Sequence, residues 1–217
     1  MQNRSRSSIE YASYLAYSPR GESYLIERSR KAMSAVKFGK IEELRIVAQS
    51  IRKHIHEPPL STFLHAGTVL VPVPRSTPLI SDDTVWPAKL LCQALIENGV
   101  GSEMLLLLKR DYAVPKSSSF AKGRGDERPT VASHMETMSV LETLLFSDSI
   151  TIVDDIVTRG STLLACARLI KQVYPGAKVR TFALLRTVQE ENMNSLIDIR
   201  DGLIWDNGKG HGVRRPS

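Results

Sequence analysis

Apolar residues recur at helical spacing between residues 23 and 55. Leu25, Ile26, Met33 and Val36 form one stripe, and Ile41, Leu44, Val47, Ile51 and Ile55 form a second. Phe38-Gly39 divides the stretch into two predicted helices, and Pro58-Pro59 marks a connection after them. Residues 68–73 (TVLVPV) are short, apolar and β-branched, which predicts a buried parallel strand. It should end near Pro72, which cannot donate to a ladder. Ser81-Asp82-Asp83 is a predicted cap for a helix with Trp86, Leu90, Leu91, Ala94 and Leu95 on its inner face. Glu97-Asn98-Gly99 ends that helix, and residues 104–108 (MLLLL) predict another buried strand.

Residues 109–139 break the rhythm. They hold Ser117-Ser118-Ser119, Gly123, Gly125 and Pro129 and few apolar side chains, so they predict a long functional loop. A short helix is predicted over 138–146. Then follow a strand at 150–153, a helix at 162–173 stopped by Tyr174-Pro175-Gly176, and a strand at 179–185. Strand, helix and strand alternate, which predicts an α/β fold with a doubly wound, mostly parallel sheet. The expected organisation is a polar N-terminal arm at 1–22, a helical hood at 23–60, a core at 61–190 and a C-terminal extension at 191–217. The Gly- and Arg-rich tail 206–217 predicts no element.

Composition narrows the function. The 217 residues are 42% hydrophobic but only 6% aromatic, enough for one aliphatic core. No apolar run is long enough to span a bilayer, and no signal peptide is recognisable, so a cytoplasmic protein with no membrane partner is expected. Cys92 and Cys166 sit in apolar helical stretches, which predicts two buried free thiols rather than a disulfide framework or a metal site. The net charge of +6 suits anionic partners without choosing among nucleotides, pyrophosphate and nucleic acid.

The chemistry concentrates in Ile150-Thr151-Ile152-Val153-Asp154-Asp155-Ile156-Val157-Thr158-Arg159-Gly160-Ser161-Thr162. A buried strand ends in two carboxylates. A turn of small hydroxylated residues around a glycine follows, then a helix. Ligands of open α/β sheets bind at the carboxyl ends of strands. A helix N-terminus presents unpaired N–H groups and a positive dipole end, which suits a phosphate. Gly160 lets the backbone amides approach the anion, and the hydroxyls of Thr158, Ser161 and Thr162 can add donors. The carboxylates can accept hydrogen bonds from vicinal sugar hydroxyls. A ribose 5-phosphate satisfies both halves. There is no G-x-x-x-x-G-K-[ST] and no G-x-G-x-x-G after a strand, so P-loop and dinucleotide-binding readings fail.

This stretch resembles the signature of type I phosphoribosyltransferases, which bind 5-phosphoribosyl-1-pyrophosphate (PRPP). One position departs, since Arg159 stands where the family usually has Thr or Ser. Val71-Pro72-Val73-Pro74-Arg75-Ser76 resembles the strand and pyrophosphate loop of the family, nearest to its ComF-like branch, and Leu185-Arg186-Thr187 resembles the strand end that follows the motif there. The resemblance spans about residues 64–187. It implies a glycosyltransferase of nucleotide metabolism that joins ribose 5-phosphate from Mg²⁺–PRPP to a nitrogenous base or amine and releases pyrophosphate. Asp154 and Asp155 would contact the ribose hydroxyls. Thr158, Arg159, Gly160, Ser161 and Thr162 would hold the 5-phosphate, with Arg75 and Ser76 on the pyrophosphate. Mg²⁺ would be held mainly by PRPP, with Asp154 and Asp155 as the protein's contribution. A homodimer is expected.

By the same resemblance, 109–139 is the mobile catalytic loop. Within 109–134, Lys109, Arg110, Lys116, Lys122, Arg124 and Arg128 oppose Asp111, Asp126 and Glu127, leaving half of the whole net charge. Lys116 and Arg128 are the candidate catalytic cations, able to close over a leaving pyrophosphate. The Gln- and Asn-containing pattern usual in ComF-like proteins is missing from this loop. His134 is a candidate base or acceptor ligand, or simply a structural side chain. A competing reading is a non-catalytic PRPP- or nucleotide-sensing module, or an effector, associated with nucleic acid through Arg4, Arg6, Arg28, Arg30, Lys31, Arg214 and Arg215.

Overall fold

The apolar runs read as strands form the middle of one sheet. The structure is a computed structural model that describes residues 8–79, 84–114, 128–145 and 147–216. Along the chain lie β1 (Ile9–Tyr17), α1 (Tyr24–Lys37), α2 (Ile41–Lys53), α3 (Leu60–Phe63), β2 (Val69–Pro72), α4 (Pro87–Glu97), β3 (Glu103–Met104) and β4 (Leu108–Arg110). Then come α5 (Val131–Glu136), β5 (Met138–Val140), β6 (Ser149–Val157), α6 (Ser161–Val173), β7 (Lys178–Thr187), β8 (Ile197–Asp206) and β9 (Gly212–Pro216). Seven strands form one sheet in the order β3-β2-β6-β7-β1-β8-β9. The pairings from β3 through β1 are parallel, and β8 and β9 add an antiparallel edge. This is the doubly wound, mostly parallel α/β sheet that the alternation predicts.

The strand residues alternate between two cores, as the pleat requires. Val69, Val71, Ile150, Ile152 and Ala183 pack under α6 with Leu163, Leu164 and Ile170. Leu70, Val153, Phe182 and Leu184 pack on the other face with Leu44, Ala48 and Ile51 of α2 and Leu91 and Leu95 of α4. Both cysteines are buried and free. Burial pushes the Cys166 thiol up to about 12. Among the described residues no helix is long and apolar enough to cross a membrane.

Four local readings change. Residues 9–17, expected within a polar arm, form β1 between β7 and β8. Tyr14 is inside with its polar end partnered: its hydroxyl lies 2.7 Å from Ser50 Oγ and 3.0 Å from His54 Nδ1. Residues 104–108 do not make one strand. β3 pairs only two residues with β2, and the chain then leaves for a separate antiparallel pair, β4 with β5. Leu107 and Leu108 are buried, while Leu106 is 40% exposed. An apolar run reports burial, not the identity of its partner. The helix expected at 138–146 lies earlier, at α5, because Thr130 caps it by accepting the Ser133 N–H at 3.1 Å. Finally, β8 and β9 bring the C-terminal residues into the sheet. The cap expected at residues 81–83 and the middle of the 109–139 loop lie outside the described residues.

Candidate active site

Parallel pairing collects the strand ends on one edge. β2 stops its pairing with β6 at Pro72–Val153, and the Val73 N–H donates to Val153 O at 2.8 Å. Residues 74–76 therefore leave the sheet at the level of Asp154. β6 runs on to Val157, paired there with Arg186 of β7. The turn 158–160 follows directly, beside Thr187, and the Thr158 and Thr187 hydroxyls meet at 3.0 Å.

The two carboxylates are half-buried with local partners. Asp154 Oδ1 accepts the Asp155 N–H and Asp155 Oδ1 accepts the Ile156 N–H, each at 2.9 Å. Burial, and then the charge of Asp155, hold the Asp154 carboxyl well above the usual carboxylate range. Burial also raises Asp155, and the charge of Lys37 at the end of α1 pulls weakly the other way. Among the described residues no Lys or Arg forms an ion pair with either. Two adjacent acids held in this way favour hydroxyl donors or a cation.

Gly160 is the N-cap of α6, with φ +90° and no side-chain cap. The intrahelical ladder starts with Leu164 N–H to Gly160 O at 2.9 Å, so the preceding N–H groups of the first turn remain for another acceptor. Thr158 and Arg159 are exposed, and Ser161 and Thr162 are half-buried. The glycine has a second cause besides an approaching anion. A Cβ there would lie 2.7 Å from Ile204 Cδ1 of β8.

No protein-family model matches the chain, and no curated protein sequence does. Solved structures similar to it are hypoxanthine phosphoribosyltransferases. The Staphylococcus aureus protein is 13% identical over 71% of this chain and 70% of its own, with a TM-score of 0.37. A mutant of the Trypanosoma cruzi protein complexed with the product IMP is 16% identical over 73% of this chain and 85% of its own, with a TM-score of 0.38. The same mutant in a ternary substrates complex is 16% identical over 78% and 94%, with a TM-score of 0.37.

The other candidate residues divide. Arg75 and Ser76 sit at the exit of β2, half-buried, with Arg75 Nη1 donating to Val85 O at 2.7 Å. Arg128 is half-buried two residues before the Thr130 cap. Lys116 lies outside the described residues. Arg110, expected at the ligand mouth, is instead 4% exposed. Its Nε donates to Arg75 O at 3.0 Å and its Nη1 to Thr137 Oγ1 at 2.6 Å, so it fastens the β2 exit to the end of α5. Cations at a helix C-terminus meet its negative dipole end.

His134 is buried behind the turn rather than open to solvent. It is 5% exposed, and its Nε2 lies 3.3 Å from Thr162 Oγ1. Burial, reinforced by the charge of Arg110, pushes its pKa down to about 4. The unfolded value is about 6.5, so the folded chain prefers neutral histidine. That preference contributes fully above about pH 6.5 and is lost as pH falls towards 4. The His134→Gln variant should lose less stability over that range than the parent. Melting temperatures against pH check this, and identical slopes in the two proteins would contradict it.

Proposed function

We propose that the chain is a phosphoribosyltransferase that takes ribose 5-phosphate from Mg²⁺–PRPP and passes it to a nitrogenous base or amine, releasing pyrophosphate. One observation carries the reading. On a single sheet edge, two charge-strained carboxylates are followed within five residues by a left-handed glycine and an uncapped helix N-terminus. The helix end suits the 5-phosphate, and Thr158, Ser161 and Thr162 add hydroxyl donors. Asp154 and Asp155 accept from the ribose hydroxyls. Arg75 and Ser76, at the exit of β2, are the candidate pyrophosphate contacts.

The donor set suits a magnesium ion held largely by its ligand. Among the described residues no group of three or more His, Cys, Asp or Glu could hold a metal alone. Asp154 and Asp155 would hold such an ion together with the diphosphate. The ion's chemistry, when bound, is to neutralise the departing pyrophosphate. The chain's own part is to orient the ribose, hold its phosphate and support positive charge at the anomeric carbon with the carboxylates.

Pyrophosphate release from Mg²⁺–PRPP, assayed over a panel of purines, pyrimidines and simple amines, tests the reading. Release that depends on one acceptor is the expected result. No release with any acceptor, from a chain that binds Mg²⁺–PRPP, would leave a binding protein rather than an enzyme.

A further inference from the structure

The C-terminal residues gave no element from sequence, yet they lie directly against the proposed phosphate turn. β8 and β9 form a hairpin closed by Asn207 N–H to His211 O at 2.9 Å. Its tip is tied to the start of α5, with Val131 N–H donating to Gly210 O at 2.7 Å. From there β9 runs along the N-terminus of α6. Gly212 N–H donates to Ser161 Oγ at 2.8 Å. The two backbones are so close that a Cβ on Gly212 would stand 2.6 Å from Ser161 N and 2.9 Å from Gly160 C. Further along, Arg214 Nη2 donates to Thr187 O at 2.7 Å, and the Thr187 hydroxyl meets that of Thr158. On β8, Ile204 fills the space a side chain at position 160 would need.

We infer that Gly212 and Arg214 are positioning residues for the phosphate turn, and that the C-terminal hairpin is a working part of the ligand site. This rests on the reading of residues 158–162 as a 5-phosphate cradle. The physical argument concerns Ser161. Its hydroxyl has one proton and two lone pairs. With a lone pair occupied by the Gly212 N–H, the proton remains available to donate to a phosphate oxygen, and accepting one bond strengthens the other. Only glycine allows this approach, because the atoms a Cβ would strike are backbone. Arg214 acts at the opposite end of the turn, holding Thr187 and through it Thr158. Thr158 and Arg159 stay exposed, so the hairpin braces the turn from one side and leaves its outer side open.

The test uses the full chain with two probes, ribose 5-phosphate and pyrophosphate, in calorimetric titrations of the parent, Gly212→Ala and Arg214→Met. Gly212→Ala should weaken ribose 5-phosphate by roughly tenfold or more, the loss of one hydrogen bond to a charged partner. Pyrophosphate affinity, governed by the β2 exit, should not change. Arg214→Met removes the bond to Thr187 O and should show the same split with a smaller loss, so it decides the matter if Gly212→Ala fails to fold. Equal loss of both probes, unchanged affinity for both, or tighter ribose 5-phosphate would each overturn the proposal. The last would mean that the hairpin occludes the turn. A parent chain that binds no ribose 5-phosphate would instead overturn the functional reading. In that case amide hydrogen exchange at Ser161–Leu163 in the ligand-free proteins still separates the outcomes: faster exchange in Gly212→Ala supports the brace, and unchanged exchange refutes it.

Discussion

The double variant Asp154→Asn with Asp155→Asn should lose PRPP binding and become more stable at the same time. In the proposed function the carboxylates accept from the ribose hydroxyls. At about 1.5–3 kcal/mol for each hydrogen bond to a charged group, affinity should fall roughly a hundredfold or more. The stability effect has the opposite sign. Both carboxyls are held above their ordinary range by burial, and Asp154 further by the charge of Asp155. A carboxylate whose folded pKa is raised weakens the fold at every pH above that value, and the weakening lifts as pH falls through it. The amides are near-isosteric and uncharged, so ligand-free melting temperature at neutral pH should rise, by about 2–4 °C for each kcal/mol recovered. The gap between variant and parent should close as pH falls towards the ordinary carboxylate range. Calorimetric titration with Mg²⁺–PRPP and melting curves against pH measure the two effects. A variant that melts lower than the parent while still binding PRPP would contradict both.

Gly160→Val should damage fold and ligand site together. The left-handed backbone costs a non-glycine residue about 1–2 kcal/mol. The new Cβ meets Ile204, which is fully buried, and overpacking of this kind adds roughly 1–3 kcal/mol. Together these lower the melting temperature by on the order of 10 °C. Ribose 5-phosphate binding should disappear, because the turn cannot keep its amides aimed at one point. Ile204→Ala placed on Gly160→Val removes the clash but not the backbone strain. It should restore part of the stability and none of the binding. Full recovery of binding in that pair would show that φ at residue 160 is unimportant.

The centre of the fold was legible because its sequence signals are local. The runs at 69–72 and 150–153 are aliphatic and short, as strands buried on both faces must be. The Asp-Asp pair within β6 and the glycine and hydroxyl residues after it were legible for the same reason, since they lie within thirteen consecutive residues. What was not legible depends on partners far along the chain. β1 reads IEYASYLAY, and its Tyr14 and Glu10 are partnered by Ser50 of α2, by His54 just after it and by Arg180 of β7. Its tyrosines are good strand formers, and that was the available signal. β8 alternates Ile197, Asp198, Ile199 and Arg200, a strand-like signal that went unread because it is short and its partners, β1 and β9, are not its neighbours in an alternating β/α pattern. The reason for glycine at 212 appears only once Ser161 is beside it. Arg110 misled because a basic residue near a predicted loop reads as ligand-facing, whereas its donors are consumed by Arg75 and Thr137.

The central claim is that residues 154–162 hold a ribose 5-phosphate. Titration of the full chain with ribose 5-phosphate, with ribose and inorganic phosphate as separate controls, addresses it most directly. The account predicts saturable one-site binding of ribose 5-phosphate, much tighter than either half alone and absent in Gly160→Val. Binding of inorganic phosphate as tight as that of ribose 5-phosphate, or a ribose 5-phosphate affinity unaltered in Gly160→Val, would contradict it.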